Sequence, residues 1–229
     1  MFLGNTDADK DKPALLRAVE MLVAGPQDIR KVVDECTEKM ERKHGKEGLN
    51  KDDMQVKIAD AIIERYARTC GRVGSLTALA GAVPGLSTVV SLIGAAAADL
   101  AVTMKYQIEM TMALGHLFGR DISDEEEQRL CYAVAGLGVA TQAGLLSFER
   151  FTVKSIQEAA RRLLKTRARK WLIDLFKKLG LRLTRRGIMK AIPLGVGVVF
   201  SYTSNRKLTR YIGRRARDYY LQTAPPRQS

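Results

Sequence analysis

The chain has 229 residues, of which 46% are hydrophobic, 28% charged and 6% aromatic, and its net charge is +13. This length suits one domain with one sizeable core, and the composition excludes a chain disordered throughout and disfavours an aromatic-rich β-sandwich. An all-α fold packed with Ala, Leu and Val is the expectation. Cys36, Cys70 and Cys131 are odd in number and form no CxxC pair, which argues against a disulfide framework and suits a reducing compartment.

The opening MFLGNTDADKDK lacks a basic segment followed by an apolar run, so no secretory signal is expected and residues 1–12 read as a disordered terminus. Pro13 suits a helix start, and Leu15, Leu16, Val19 and Leu22 recur at helical spacing. Gly25-Pro26 breaks and restarts the chain, and Ile29, Val32, Val33, Cys36 and Met40 share one face of a second helix that ends near Gly45. Asn50, with Asp53 three residues on, predicts a capped third helix with Met54, Ile58, Ala61, Ile62 and Tyr66 as its stripe.

Beyond Arg72 the composition changes abruptly: residues 73–98 are 26 consecutive residues without charge, interrupted by Pro84-Gly85 and ended by Asp99. About 20 apolar residues cross a bilayer, but this run is rich in Gly, Ala, Ser and Thr and is divided in the middle. A helical hairpin is the better geometry, and close-packing small residues serve a soluble core and a lipid-inserted pair equally. From Leu86 one long helix is expected through Leu100, Met104, Ile108, Met112 and Leu114 to about Gly119. Ser123 and Glu126 then predict a capping box for the next helix.

Residues 131–148 and 191–205 are two further uncharged runs rich in small residues. Between them, from Lys154 to Lys190, Leu163, Leu164, Trp171, Leu172, Leu175, Phe176, Leu179 and Leu181 alternate with Arg and Lys, which predicts basic amphipathic helices. The charge is concentrated here and beyond: residues 151–229 hold 20 Lys/Arg and 3 Asp/Glu, net +17, whereas residues 1–150 are net −4. Such asymmetry points to a polyanion, either nucleic acid or the anionic cytoplasmic leaflet, with a well-solvated helical surface as the plain alternative.

Two regions carry a family resemblance. The first is Ala78-Leu-Ala-Gly-Ala-Val-Pro84-Gly85, followed by Ala98-Asp99-Leu100 and by Leu117-Phe118-Gly119-Arg120-Asp121. The second is Ile192-Pro193-Leu194-Gly195-Val196-Gly197, with Asn205, Thr209 and Arg215-Ala216 downstream. In this order and spacing they resemble the EcsC family of bacterial helical proteins, with Phe118 standing where Tyr is common. The resemblance implies a helical domain over residues 13–221, a short disordered tail over 222–229, and Pro84, Gly85, Asp99, Pro193, Gly195, Gly197 and Asn205 as family-motif positions. It also implies a membrane-associated or transport-linked role, and it brings no established reaction.

The residues themselves give little support to catalysis. His44 and His116 are the only histidines, and neither has metal ligands at a repeating helical spacing, so no metal or other cofactor is expected. No GxSxG or Cys/His nucleophile pattern and no GxxxxGK[ST] occurs, and Gly195-Val-Gly197 lacks the third glycine and acidic partner of a dinucleotide fingerprint. Asp99 ends a long uncharged run, and its burial would require a partner: either a helix-packing contact or a ligand or lipid head group. Asn205 carries the same ambiguity.

The leading expectation is a non-enzymatic protein at the cytoplasmic side of the inner membrane, peripheral or shallowly inserted. Its partners would be anionic lipids, a membrane protein, or both. Arg161, Arg162, Lys165, Arg167, Arg169, Lys170, Lys177, Lys178, Arg182, Arg185 and Arg186 would face the anionic surface, with Trp171 and Phe176 at the interface. The alternatives are a basic nucleic-acid-binding protein, for which stacking aromatics and a known DNA-binding module are missing, and a soluble accessory or scaffold subunit whose apolar hairpins are its core.

Overall fold

Amphipathic periodicity and local breakers decide the first elements of the computed structural model, which describes residues 12–72, 83–142, 146–163, 168–189 and 197–224. Helix α1 (Ala14–Leu22) buries Leu15, Leu16, Val19 and Leu22, each worth about 1.5–3 kcal/mol of transfer from water. Gly25 separates it from α2 (Pro26–His44), which opens on a proline whose missing N–H would have had no helical partner anyway. Asn50 caps α3 (Lys51–Arg72), its Oδ1 accepting the Asp53 N–H at 2.7 Å, as the sequence predicts.

Where one long helix is expected from Leu86, the structure has two: α4 (Leu86–Ile93) and α5 (Ala95–Leu117). The cause is Gly94, whose φ of 79° is left-handed and incompatible with a continuing right-handed helix. The Gly94 N–H closes α4 on the Val90 carbonyl, and its own carbonyl accepts the Ala98 N–H to open α5. Gly119, at φ 83°, follows the end of α5.

The next helix also starts differently from expectation. Helix α6 (Glu125–Gln142) begins at Glu125, and the Gln128 N–H donates to the Asp124 carbonyl. Ser123 sits outside, its N–H donating to Asp121 Oδ1 at 2.9 Å and its hydroxyl accepting from Arg30 at 2.8 Å. Asp121 thus takes Ser123 into its own local turn, and the hydroxyl is committed to α2 rather than to a capping box.

After a 3₁₀ turn at Phe148–Arg150 come α7 (Val153–Leu163), α8 (Ala168–Met189) and α9 (Gly197–Thr223). The described residues contain no strand, and the buried side chains form one contiguous core. Helix α5 lies at its centre, packed on α1, α2, α3, α4, α6, α8 and α9. Ala98, Ala101, Val102, Met104, Ile108, Met110, Met112, Ala113 and Leu114 fill the space around it, and Thr103, Lys105, Gln107, Glu109 and Thr111 are buried with them. A helix surrounded on all sides has no solvent face on which to place polar groups, so each needs an internal partner. Thr103 and Thr111 donate to carbonyls one turn back, and Lys105 pairs with Glu109.

Small residues set how closely the helices approach. A Cβ at Gly213 of α9 would lie 2.8 Å from Ile63 Cγ1 of α3 and 2.9 Å from Met110 Sδ of α5. Gly138 of α6 faces Ile212 of α9 in the same way and Gly136 faces Leu175 of α8, so these two glycines of the second uncharged run serve the packing of the bundle.

Candidate functional site

Helices α7 and α8 are amphipathic, as the sequence predicts, and pack on one another. On α7, Ile156, Ala159 and Leu163 are buried while Lys154, Glu158, Arg161 and Arg162 are exposed. On α8, Leu172, Phe176 and Leu179 are buried, and Lys170, Asp174, Lys177, Lys178 and Leu181 form the outward face at helical spacing. Leu181 is 62% exposed, the most open of the large hydrophobic side chains among the described residues.

The predicted basic residues fall into groups. Arg161, Arg162, Lys170, Lys177 and Lys178 are exposed and make no ion pair among the described residues. Trp171 is half-buried, with the Arg162 guanidinium 6.0 Å from its ring centre, which ties the end of α7 to the start of α8. Lys165 and Arg167 lie outside the described residues. Arg169, Arg182, Arg185 and Arg186 lie within α8, and the described residues do not extend to their side chains. Phe176 corrects an expectation: it is fully buried against Tyr132, at 6.5 Å between ring centres, and belongs to the core rather than to an interface.

Three arginines of α9, Arg206, Arg210 and Arg217, behave differently, because α3 supplies acids to meet them. Glu64 of α3 receives Arg210 in a two-pronged contact at 2.6 and 2.8 Å, and it also receives Arg206. Arg217 bridges Asp60 of α3 at 2.5 Å and Asp218 at 2.9 Å. Held first by the Arg210 hydrogen bonds, and then by those of Arg206 against the opposing cost of burial, the Glu64 carboxyl is lowered to about 2. Part of the +17 is therefore neutralised by the acidic first part of the chain, whereas Arg161, Arg162, Lys170, Lys177 and Lys178 on α7 and α8 stay exposed without ion pairs among the described residues.

The family-motif positions lie elsewhere. Pro84 and Gly85 form the exposed turn before α4, with Gly85 at φ 80°, and α4 packs on α1 and α5. Asp99 is half-buried in the second turn of α5; its Oδ1 is enclosed without a hydrogen-bond partner among the described residues, and burial pushes the carboxyl up to about 6. The exposed stretch before it, which includes Ser87, Thr88, Ser91, Leu92 and Ala95, carries no charge. Asn205 is buried in α9, one turn before Thr209, whose hydroxyl receives Gln107 Nε2 at 3.5 Å. Gly197 is the first residue of α9, and Pro193 and Gly195 lie outside the described residues.

Sequence reasoning passed over two features. One is the Lys105–Glu109 pair inside the bundle. The other is a groove of about 430 Å³ beside α7, lined among others by Arg150, Lys154, Glu158, Arg162 and Trp171. The signal for the second was legible: Lys154, Glu158 and Arg162 follow at four-residue intervals on one face. Of the histidines, His44 Nδ1 lies 2.7 Å from Glu47, and His116 near the end of α5 is lowered by burial and then by Arg30. Among the described residues no three His, Cys, Asp or Glu side chains are grouped to hold a metal ion, and no helix is long and apolar enough to cross a membrane.

The model of the EcsC protein family matches residues 11–222 of the chain. No curated protein and no solved structure matches it.

Proposed function

This chain belongs to the EcsC protein family, and on that premise we propose that it acts by binding rather than by catalysis, as a peripheral protein of the cytoplasmic membrane face. The α7–α8 surface attaches to anionic lipid, and a membrane protein is the partner it would meet there. The observation that carries this reading is the contrast between the two basic regions. Arg206, Arg210 and Arg217 of α9 are paired with α3 acids, while Arg161, Arg162, Lys170, Lys177 and Lys178 remain exposed without ion pairs among the described residues. A basic side chain near an anionic surface contributes about 1 kcal/mol, so five on adjoining helices are sufficient for firm, salt-sensitive attachment. Trp171 and the exposed Leu181 add the amphipathic character that favours a headgroup boundary over bulk water.

The test is co-sedimentation with vesicles of neutral lipid alone and with a fraction of anionic lipid, at low and high salt. Pelleting that requires anionic lipid and falls with salt is the expected result. Equal pelleting on neutral vesicles would overturn the electrostatic basis. Retention on nucleic acid that anionic vesicles cannot compete away would replace this reading with the nucleic-acid one.

A further inference from the structure

The groove beside α7 is built from four short pieces of chain. Leu137 of α6 and Leu146 contribute apolar surface; Glu149, Arg150 and Thr152 come from the turn that follows; Lys154, Ser155, Glu158, Ala159 and Arg162 come from α7, and Trp171 from α8. Thr152 and Ser155 fix the entry to α7 reciprocally. The Thr152 N–H donates to Ser155 Oγ at 3.1 Å, and the Ser155 N–H donates to Thr152 Oγ1 at 3.3 Å. A capped helix start therefore holds the lower rim, and the buried Leu163 and Phe151 anchor the two ends of the segment.

The charges around this groove are mixed in sign and make no ion pairs among the described residues, Arg162 resting over the Trp171 ring. Lys154, Glu158 and Arg162 stand at the i, i+4, i+8 spacing at which opposite charges ordinarily pair, yet none of them makes an ion pair among the described residues, and neither do Glu149 and Arg150. Three cations and two carboxylates are thus presented to one space whose other described lining residues are Leu137, Leu146, Ala159, the Trp171 ring, and Thr152 and Ser155 of the helix cap. A purely anionic ligand would meet the two carboxylates, and a purely cationic one the three cations. A ligand that carries both signs on an apolar stem satisfies all of them. The volume, about 430 Å³, suits a head group and the start of its stem and leaves long acyl chains outside.

We propose that this groove binds the head group of a zwitterionic aminophospholipid, its phosphate on Arg150, Lys154 and Arg162, its primary ammonium on Glu149 and Glu158, and its glycerol stem against Trp171, Leu137 and Leu146. The inference rests on the membrane reading above for the source of the ligand. It adds selective recognition of a single lipid to a surface that otherwise responds only to charge.

Trp171 is the sole tryptophan of the chain, so intrinsic fluorescence reports this groove directly. The experiment titrates full-length protein with dihexanoyl phosphatidylethanolamine kept below micelle formation, with dihexanoyl phosphatidylglycerol as comparator. The expected result is a saturable change with the ethanolamine lipid and at least tenfold weaker binding of the glycerol lipid. Glu158→Gln should weaken ethanolamine-lipid binding at least tenfold and leave the glycerol lipid no weaker, and Lys154→Gln should weaken both, with unchanged melting temperatures confirming the fold. Absence of a saturable change, equal affinity for the two lipids, or indifference to both substitutions would overturn the proposal. Sedimentation of wild type and Glu158→Gln on anionic vesicles runs in parallel. Intact pelleting without groove binding sinks this inference alone, and groove binding without pelleting sinks the surface-attachment reading alone.

Discussion

The Lys105 ammonium lies 2.5 Å from the Glu109 carboxylate, one helical turn apart in the middle of α5 and enclosed by the surrounding bundle. The same Glu109 oxygen accepts the Ala24 N–H at 2.8 Å, so the pair also secures the chain where it leaves α1. Removing one member strands the other charge in the core, which costs about 3–5 kcal/mol. Glu109→Ala is expected to lower stability by that amount in denaturant unfolding. Replacing both residues with methionine should recover much of the loss, because an apolar pair of similar volume leaves no charge unmatched.

Asp99 should respond in the opposite sense. Burial raises its folded-state carboxyl to about 6 from an ordinary 3.8, so ionisation works against folding, and stability falls as pH rises through the interval between those values. Asp99→Asn removes this penalty. It is expected to raise stability at pH 7–8 by up to about 2 kcal/mol after allowance for partial exposure, and to make little difference near pH 4. Melting curves of the two proteins across pH 4–8 check the crossover.

Glu64 sets the acid limit from the other direction. Its carboxyl is lowered to about 2 by Arg210 and Arg206, so its contribution is complete above the ordinary glutamate value of 4.5 and is lost as pH falls from there through about 2. Glu64→Gln should therefore flatten the acid-denaturation profile below pH 4.5 while lowering stability at neutral pH. Urea unfolding at fixed pH values resolves both effects.

Neutralising the outward face of α8 should separate attachment from folding. Lys170→Gln, Lys177→Gln and Lys178→Gln together are expected to reduce affinity for anionic vesicles by about 3 kcal/mol, on the order of a hundredfold, with little change in melting temperature. Arg206→Gln with Arg210→Gln should give the converse: lower stability, with vesicle affinity largely kept.

Gly213 tests the closeness of the bundle. Gly213→Ala places a methyl group against Ile63 and Met110, and overpacking of this kind costs about 1–3 kcal/mol. Calorimetry on the variant measures it. Ile63→Ala removes both contacting γ carbons, so it should cost less in the Gly213→Ala background than alone.

The outer helices were the legible part of the sequence. Leu15, Leu16, Val19 and Leu22 on α1, and Ile58, Ile62 and Tyr66 on α3, have a wet side and a dry side, and periodicity reports that difference. The centre was not legible for the same reason. Helix α5 is buried all round, so its Lys105, Gln107 and Glu109 follow no stripe, and a charge in a sequence reads as a solvent contact until its internal partner is located. Gly94 was hidden because a glycine within an Ala-rich run is compatible with a continuous helix, and only its backbone angle separates the two cases. Phe176 went astray because half of a basic amphipathic helix faces inward, and its phase relative to Trp171 is fixed by contact with Tyr132, a residue 44 positions earlier in the chain. The net +17 of residues 151–229 overstates the unpaired charge, since the pairing of Arg206 and Arg210 with Glu64 spans more than 140 positions and no local pattern announces it.

That long-range pairing gives the acidic residues of α3 a second consequence. Glu64 and Asp60 act as an internal counter-ion layer for α9, so the field the molecule projects is narrower than its formula charge suggests. Changes confined to those two carboxylates would uncover Arg206 and Arg210 and leave Arg217 with Asp218 alone. A lesion far from α7 and α8 would then register as promiscuous stickiness toward polyanions rather than as loss of binding.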